Sequence, residues 1–437
     1  MAGTGTVLKP QFAPGALLVL LLVAGCCSTP TAEQAQAPGS SPAHASGRTE
    51  QIHRQTAEWL ARWPTTNRVD NLACLAEQIV DRLAAGGTLY LAGEPGFCDE
   101  LYYRAGAFAG AVVWDLQQRV GSNDVLLVGW FDANSKVTRE FKPTFIGQNN
   151  GRVNKALTIV VASSRWPLAA RMVAMADTNR WPAGLHLLDT DVPPTTDMRG
   201  YAVGQVATIA AAYALEGEML AAATRRGRTM AYYPSMFAPG GEAYGELIKG
   251  KTFLDEPHLA PIPAGQIARS YLSTCREQVV AFVASDEPGK VRQVARQIVD
   301  CQRRGGTVQT VVSGHVLQRG ATMPPELWSV ALYGTASSWT PPHGLKAGDL
   351  LCDLGYLDYP QKAVDEALAM GVDVATLSVA GGPVREHVTN IQCFWKPYDG
   401  AVEIPGYPYK ALPSSGVVMS AVWYSLMDEA RGLVAAP

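Results

Sequence analysis

The chain has no excess of basic charge. Lys and Arg number 36 against 39 Asp and Glu, for a formal net charge of -3 at pH 7. Nothing in that balance supplies the positive field a phosphate backbone demands, so nucleic acid is not an expected partner. Charge of either sign is scarce at 17%, and apolar residues make up 47%. That composition excludes a disordered chain or a highly charged scaffold. None of the eight cysteines forms a C-x-x-C pair, and no Cys/His group has zinc spacing, so no metal or other cofactor is expected. Asp189, Asp191 and Asp197 are spaced suggestively, but the glycine and distal glutamate of a calcium loop are missing. No G-x-S-x-G elbow is present, which removes support for serine hydrolysis.

At 437 residues the chain is too long for one ordinary core and suits two domains. The apolar run Ala16–Ala24 is about half the length needed to span a bilayer. It leads into Val23-Ala24-Gly25-Cys26, a tetrad like a bacterial lipobox, with Cys26 as the lipid acceptor. Residues 26–50 are rich in Ser, Pro, Ala and Gln without apolar periodicity, and read as a tether. The expected layout is a signal peptide at 1–25, the tether at 26–50, and two domains at 51–262 and 263–437. The expected location is extracytoplasmic, with the membrane reached through the lipid anchor alone.

The rest of the chain repeats itself. Glu77–Thr88 reads EQIVDRLAAGGT and Arg296–Thr307 reads RQIVDCQRRGGT. Each is the end of an amphipathic helix closed by Gly-Gly. Each runs into a strand (Leu89–Ala92, Val308–Val312) and then a glycine loop (Gly93–Gly96, Ser313–His315). Further strands are expected at Val125–Phe131, Leu157–Ala162, Leu185–Leu188, Asp349–Leu354 and Val372–Val379. Helices are expected at Leu168–Asn179 and Gln361–Met370. Alternating βα units imply parallel sheets covered on both faces, with ligands beyond the carboxyl ends of the strands. The loops to watch are 93–98, 162–167, 313–318 and 355–360.

A helix ending in Gly-Gly, a strand, a glycine loop and a helix resemble the opening of a sugar isomerase (SIS) domain. Gly93-Glu-Pro-Gly-Phe-Cys-Asp-Glu-Leu-Tyr-Tyr-Arg-Ala-Gly106 is similar to the segment that marks a subfamily of phosphosugar-binding SIS proteins, with Glu100, Arg104, Ala105 and Gly106 matching. Ala162-Ser-Ser-Arg-Trp-Pro167 resembles a shortened phosphate loop, Pro234–Ile248 the closing region of that subfamily, and Leu412–Gly416 the way such domains finish. The resemblance spans about residues 55–435. It implies an α/β fold of two SIS-like (flavodoxin-like) three-layer αβα domains with central parallel sheets. The domains are expected to pair in a homodimer or within the chain.

The departures bear on activity. Glu94-Pro95-Gly96-Phe97 replaces a Gly-His-Ser loop, and a carboxylate there repels phosphate. Gly355–Pro360 offers no hydroxyl and carries Asp358. The ligand-binding set implied is Gly93, Gly96, Arg104, Ser163, Ser164, Arg165, Trp166, Ser313 and Gly314. Catalytic candidates are Glu100, expected to share a helix face with Arg104, His315 at a strand end, and Glu386 beside His387 after the last core strand. Gly245–Thr252 matches a P-loop by letter, yet follows no strand and ends a helix. The leading expectation is a small-molecule partner, a sugar or sugar derivative, held by an extracytoplasmic protein. A sugar isomerase or lyase using Glu/His acid–base chemistry is the second reading, and a non-catalytic interaction scaffold the third.

Overall fold

The computed structural model describes residues 47–115, 118–131, 155–167, 169–170, 184–194, 198–312, 332–333, 344–355, 361–379, 382, 384–396 and 398–435. The first half contains α1 Arg48–Arg62, α2 Thr66–Ala84, β1 Leu89–Gly93, α3 Pro95–Leu101, β2 Ala111–Val113, β3 Val125–Gly129, β4 Leu157–Ala162, β5 Leu185–Asp189, α4 Met198–Arg225, β6 Thr229–Met230, α5 Gly241–Ile248 and β7 Phe253–Leu254. The second contains α6 Gln266–Val283, α7 Glu287–Arg303, β8 Val308–Val312, β9 Leu332–Tyr333, β10 Leu350–Leu354, α8 Gln361–Ala369, β11 Asp373–Ser378, β12 Val388–Gln392, β13 Gly400–Val402, β14 Ala411–Pro413 and α9 Ser415–Ala435.

The Gly-Gly pairs act alike in both halves. In α2 the apolar residues Val69, Leu72, Leu75, Ala76, Ile79, Val80 and Leu83 fall on one buried stripe. The helix stops where Gly86 turns to φ 87°, and α7 stops where Gly305 turns to φ 72°. The left-handed turn favours glycine because it has no Cβ. The second glycine of each pair is required by contact instead. A Cβ on Gly87 would lie 1.9 Å from the Asn123 carbonyl, and one on Gly306 would lie 2.8 Å from that of Gly348.

Two five-stranded sheets follow. Their orders are β2-β1-β3-β4-β5 and β12-β11-β10-β8-β9, and every pairing within them is parallel. Counted from the start of each half, both orders are the flavodoxin-like 2-1-3-4-5, with the switch point between the first and third strands. β3, β4 and β10 are buried at every residue, as strands covered on both faces must be. The fold class is therefore α/β, with two layered modules built on central parallel sheets. β12 was not foreseen. Its alternating Val-Thr-Asn-Ile-Gln follows Gly381-Gly382-Pro383, where the pattern reads as a stop.

Helices from the two halves pack against each other inside one compact unit. α1 packs on α6 and α4 on α9, while α1–α9 and α6–α4 are reciprocal contacts. That exchange of equivalent elements is the pattern of an isologous, two-fold interface, here closed within a single chain. Trp423 and Tyr424 of α9 and Tyr213 of α4 are fully buried there. α4 carries a stretch, Ala202–Arg225, long and apolar enough to cross a membrane, but it is buried throughout as a core helix. Polar bonds also cross the joint. Glu429 accepts from the Thr49 amide (2.9 Å) and hydroxyl (2.9 Å), and the Tyr424 hydroxyl donates to Gln205. His53 of α1 stacks on Phe282 of α6 at 4.4 Å. Burial pulls its imidazole down to about 4, against the hydrogen bond to the Thr49 carbonyl. Cys98, Cys275, Cys301, Cys352 and Cys393 are buried and unbridged, and Cys74 is exposed.

Candidate functional site

β1 delivers the chain to the carboxyl end of the first sheet. Gly93 sits at φ 102°, and a Cβ there would lie 2.3 Å from the Gly129 carbonyl of β3. The Glu94 amide donates to that carbonyl at 3.0 Å. Pro95 then opens α3, with Gly96 buried in its first turn. The next residue, Phe97, fills the switch point. A Cβ on Gly129 would meet its ring at 2.1 Å, and its centroid lies 6.3 Å from that of Phe131. Trp130, Phe131 and Trp166 are also buried. Trp166 packs toward Gly204 of α4. Large side chains thus occupy the crevice in which doubly wound sheets usually take a ligand.

The loop after β4 is engaged by the protein's own carboxylates. The Ser164 amide and hydroxyl both donate to Asp189, each at 2.7 Å. The Ser163 hydroxyl donates to the Val192 carbonyl at 2.5 Å. Arg165 donates to Asp191 at 2.6 Å, and Arg68 reaches the same carboxylate at 3.0 Å. Burial pushes the Asp191 carboxyl up, but the bonds from Arg68 and Arg165 outweigh it and hold the group below its ordinary value. Asp189 and Asp191 thus take up the donors of Ser164 and Arg165, the residues that the sequence offered for an anion.

Glu100 lies inside the molecule, 1% exposed. The Tyr213 hydroxyl donates to its carbonyl at 2.7 Å and its carboxylate at 3.2 Å. A Cβ on Gly416 would lie 2.0 Å from the Glu100 carboxylate, so Glu100 rests on the first turn of α9. Asp399 caps that turn by accepting the Ser414 (3.1 Å) and Ser415 (2.8 Å) amides. Glu100 and Arg104 do not share a helix face as their spacing suggested. α3 ends at Leu101, Tyr102 is extended, and Tyr103 turns to φ 54°. Two consecutive exposed tyrosines break the helix, and Arg104 Nε folds back onto the Asp99 carbonyl at 3.1 Å.

Beyond that break is an open cleft of about 230 Å³, lined by residues 103–105, 233–237, Gly241, Glu242, Gly245 and Glu246. It forms where the segments resembling the phosphosugar subfamily meet. Gly106 donates to the Tyr233 carbonyl (2.6 Å) and Tyr233 to the Ala107 carbonyl (3.0 Å), while Leu412 of the second half donates to the Gly106 carbonyl (3.1 Å). A Cβ on Gly106 would lie 2.8 Å from Pro413, and its φ is 81°. Tyr103 stands at the mouth, edge-on to Tyr233 at 4.8 Å. Its hydroxyl donates to Glu246 at 3.1 Å, and Lys249 Nζ lies 5.1 Å from its ring centroid. Tyr103 and then Glu246 raise the Lys249 ammonium above its ordinary value. Met236 and Phe237 also line the cleft and are exposed. Among the described candidate catalytic and ligand-binding residues named from sequence, Arg104 alone lines this cleft, beside Ala105 of the same segment. The consecutive Tyr102-Tyr103 and the Pro234–Ile248 segment were the available signals for the rest.

The remaining candidates are elsewhere. Glu386 is exposed and does not follow the last core strand. It precedes β12, beside His387, whose Nδ1 lies 2.9 Å from Asp373 at the start of β11. That is the amino-terminal end of the second sheet, because the chain must return there to enter β12 in parallel. Cys26, Ser313, Gly314 and His315 lie outside the described residues. Gly245–Ile248 of the P-loop-like string forms the last turn of α5, so it is preceded directly by the first turn of that helix and not by a strand. No group of metal-ligating side chains occurs among the described residues.

No family model matches the chain, and no curated protein matches it. Among solved structures it is similar to the C-terminal domain of glucosamine-fructose-6-phosphate aminotransferase from Francisella tularensis, at 8% identity and a TM-score of 0.48, over 90% of this chain and 97% of that one. It is also similar to tagatose-6-phosphate ketose/aldose isomerase from Escherichia coli, at 12% identity and a TM-score of 0.45, over 90% of this chain and 96% of that one.

Proposed function

We propose that this chain is a lipid-anchored, extracytoplasmic binding protein of SIS-like fold. Its ligand is a carbohydrate derivative, taken in the cleft between Tyr103 and Phe237. The observation that carries this reading is the cleft itself. Its volume of about 230 Å³ suits a single sugar ring. Tyr103, Tyr233 and Phe237 offer aromatic faces to the apolar side of such a ring, and Arg104, Glu242 and Glu246 offer polar groups to its hydroxyls. The two segments that resemble phosphosugar-binding proteins build its two walls.

Binding is favoured over isomerisation by the position of Glu100. Proton abstraction needs a base within hydrogen-bond reach of the substrate, whereas Glu100 is buried against Tyr213 and α9. The Cys26 lipobox supports the anchor and the location. A thermal-shift panel of neutral, amino, acidic and phosphorylated sugars on the purified chain tests the reading. A ligand at 100 times its dissociation constant adds about 2.7 kcal/mol. A panel without any shift removes the sugar-binding assignment in favour of an interaction scaffold.

A further inference from the structure

The cleft presents one charge of each sign with bonding capacity to spare. Glu246 is engaged by the Tyr103 hydroxyl and by Lys249 at 3.4 Å. Lys249 is engaged in turn by Glu246 and the Tyr103 ring. That trio closes on itself beside the cleft. Glu242 lies one turn before Glu246 on α5, lines the cleft, and makes no ion pair or hydrogen bond among the described residues. Arg104 has its Nε on the Asp99 carbonyl, and its terminal nitrogens make no bond among the described residues. The aromatic wall runs with them, and Tyr103 is held in the left-handed region by Tyr233, Glu246 and Lys249. A bulky residue there is strained and persists only where its surroundings fix it.

We infer that the cleft selects an unphosphorylated sugar carrying both an amino group and a carboxylate, the ammonium meeting Glu242 and the carboxylate meeting Arg104. This rests on the reading of the cleft as a sugar site. A planar carboxylate matches the guanidinium fork. An ammonium beside aromatic faces gains from their quadrupoles as well as from the carboxylate. A phosphate carries about two negative charges and, among the described lining residues, would meet Arg104 as the one cation, with Glu242 and Glu246 lining the same space.

The test is calorimetric titration of the full chain with glucose, glucuronate, glucosamine, 2-amino-2-deoxyglucuronate and glucose 6-phosphate. The doubly charged sugar is expected to bind at least tenfold more tightly than glucuronate or glucosamine. Glu242→Gln is expected to erase the advantage given by the amine while keeping the advantage given by the carboxylate. Arg104→Gln is expected to do the reverse. Both variants are checked for wild-type melting. Tightest binding by glucose 6-phosphate, or an amine advantage that survives Glu242→Gln, overturns the inference. If neutral glucose binds, is lost in Tyr103→Ala, and gains nothing from either charge, the charge inference fails while the sugar site stands. If none of the sugars binds, both fail.

Discussion

Asp124 and Asp349 hold the same place in the two halves and make the same pair of bonds. Asp124 accepts the Thr88 amide at 2.8 Å and the Gly121 amide at 2.6 Å. Asp349 accepts the Thr307 amide at 2.8 Å and the Lys346 amide at 2.9 Å. Each aspartate thus ties the residue after a Gly-Gly pair to the turn three residues before itself. The central strand then starts in register, with Val125 donating to Thr88 at 2.9 Å and Leu350 to Thr307 at 3.0 Å. The sequence repeat therefore extends to a shared device for entering the sheet.

Asp124→Ala and Asp349→Ala should each be destabilising by similar amounts, about 2–4 kcal/mol. Each leaves two partly buried amides without an acceptor, at about 1–2 kcal/mol apiece. Urea unfolding of the two variants checks this. A large loss in one half with none in the other would contradict the equivalence.

The repeat was legible because Gly-Gly is required twice for the same two reasons, left-handed turn and close contact. The apolar strands were legible because parallel strands covered on both faces read as continuous runs. β12 was not, since its polar alternation follows a Gly-Gly-Pro stop. The site was legible only in part. Arg104 and the 234–248 segment pointed to it, but the helix break at Tyr102-Tyr103 turns on two φ/ψ choices that no periodicity encodes. The burial of Phe97 in the switch point depends on Gly129, 32 positions further along the chain.

Gly106→Ala should lower stability by about 1–3 kcal/mol and weaken ligand binding in the cleft. The added methyl meets Pro413 at 2.8 Å on a backbone at φ 81°. Gly250→Ala offers a control: its φ is 70° with nothing within 4 Å of the added Cβ, so it carries the backbone strain without the clash. Melting and titration of the two variants separate the effects.

Glu216 makes stability fall as pH rises. Its carboxyl is fully buried in α4 and accepts the Phe108 amide at 3.3 Å. Burial pushes it up to about 8 from 4.5, against that bond. The unfolded chain ionises this group above 4.5, while the folded one keeps it protonated to about 8. Its contribution is therefore full below 4.5 and declines across that window, by at most about 1.4 kcal/mol per pH unit. Glu216→Gln should gain stability over the parent at pH 8 and lose that gain at pH 4.5. Denaturant melts at the two pH values measure it.

His53 acts at the other end of the scale. Its imidazole is lowered to about 4 from 6.5, so the unfolded chain takes up a proton that the folded one refuses. Its stabilising contribution is present above 6.5 and is lost as pH falls toward 4. Because His53 packs on Phe282 across the joint, acid should loosen the two halves together. Hydrogen exchange of α1 and α6 amides at pH 7 and pH 4.5 tests it: after division by the intrinsic rate at each pH, which is far slower in acid, lower protection factors are expected in both helices at pH 4.5.

Occupation of the Tyr103–Phe237 cleft by a carbohydrate derivative is the property on which the proposed function depends. The most direct measurement is calorimetric titration of the chain and of Tyr103→Ala with the best ligand from the sugar panel. One saturable site per chain is expected, with at least a tenfold loss of affinity in Tyr103→Ala and melting little changed. A ligand that binds equally well to both proteins, or a chain that binds no sugar, would contradict it.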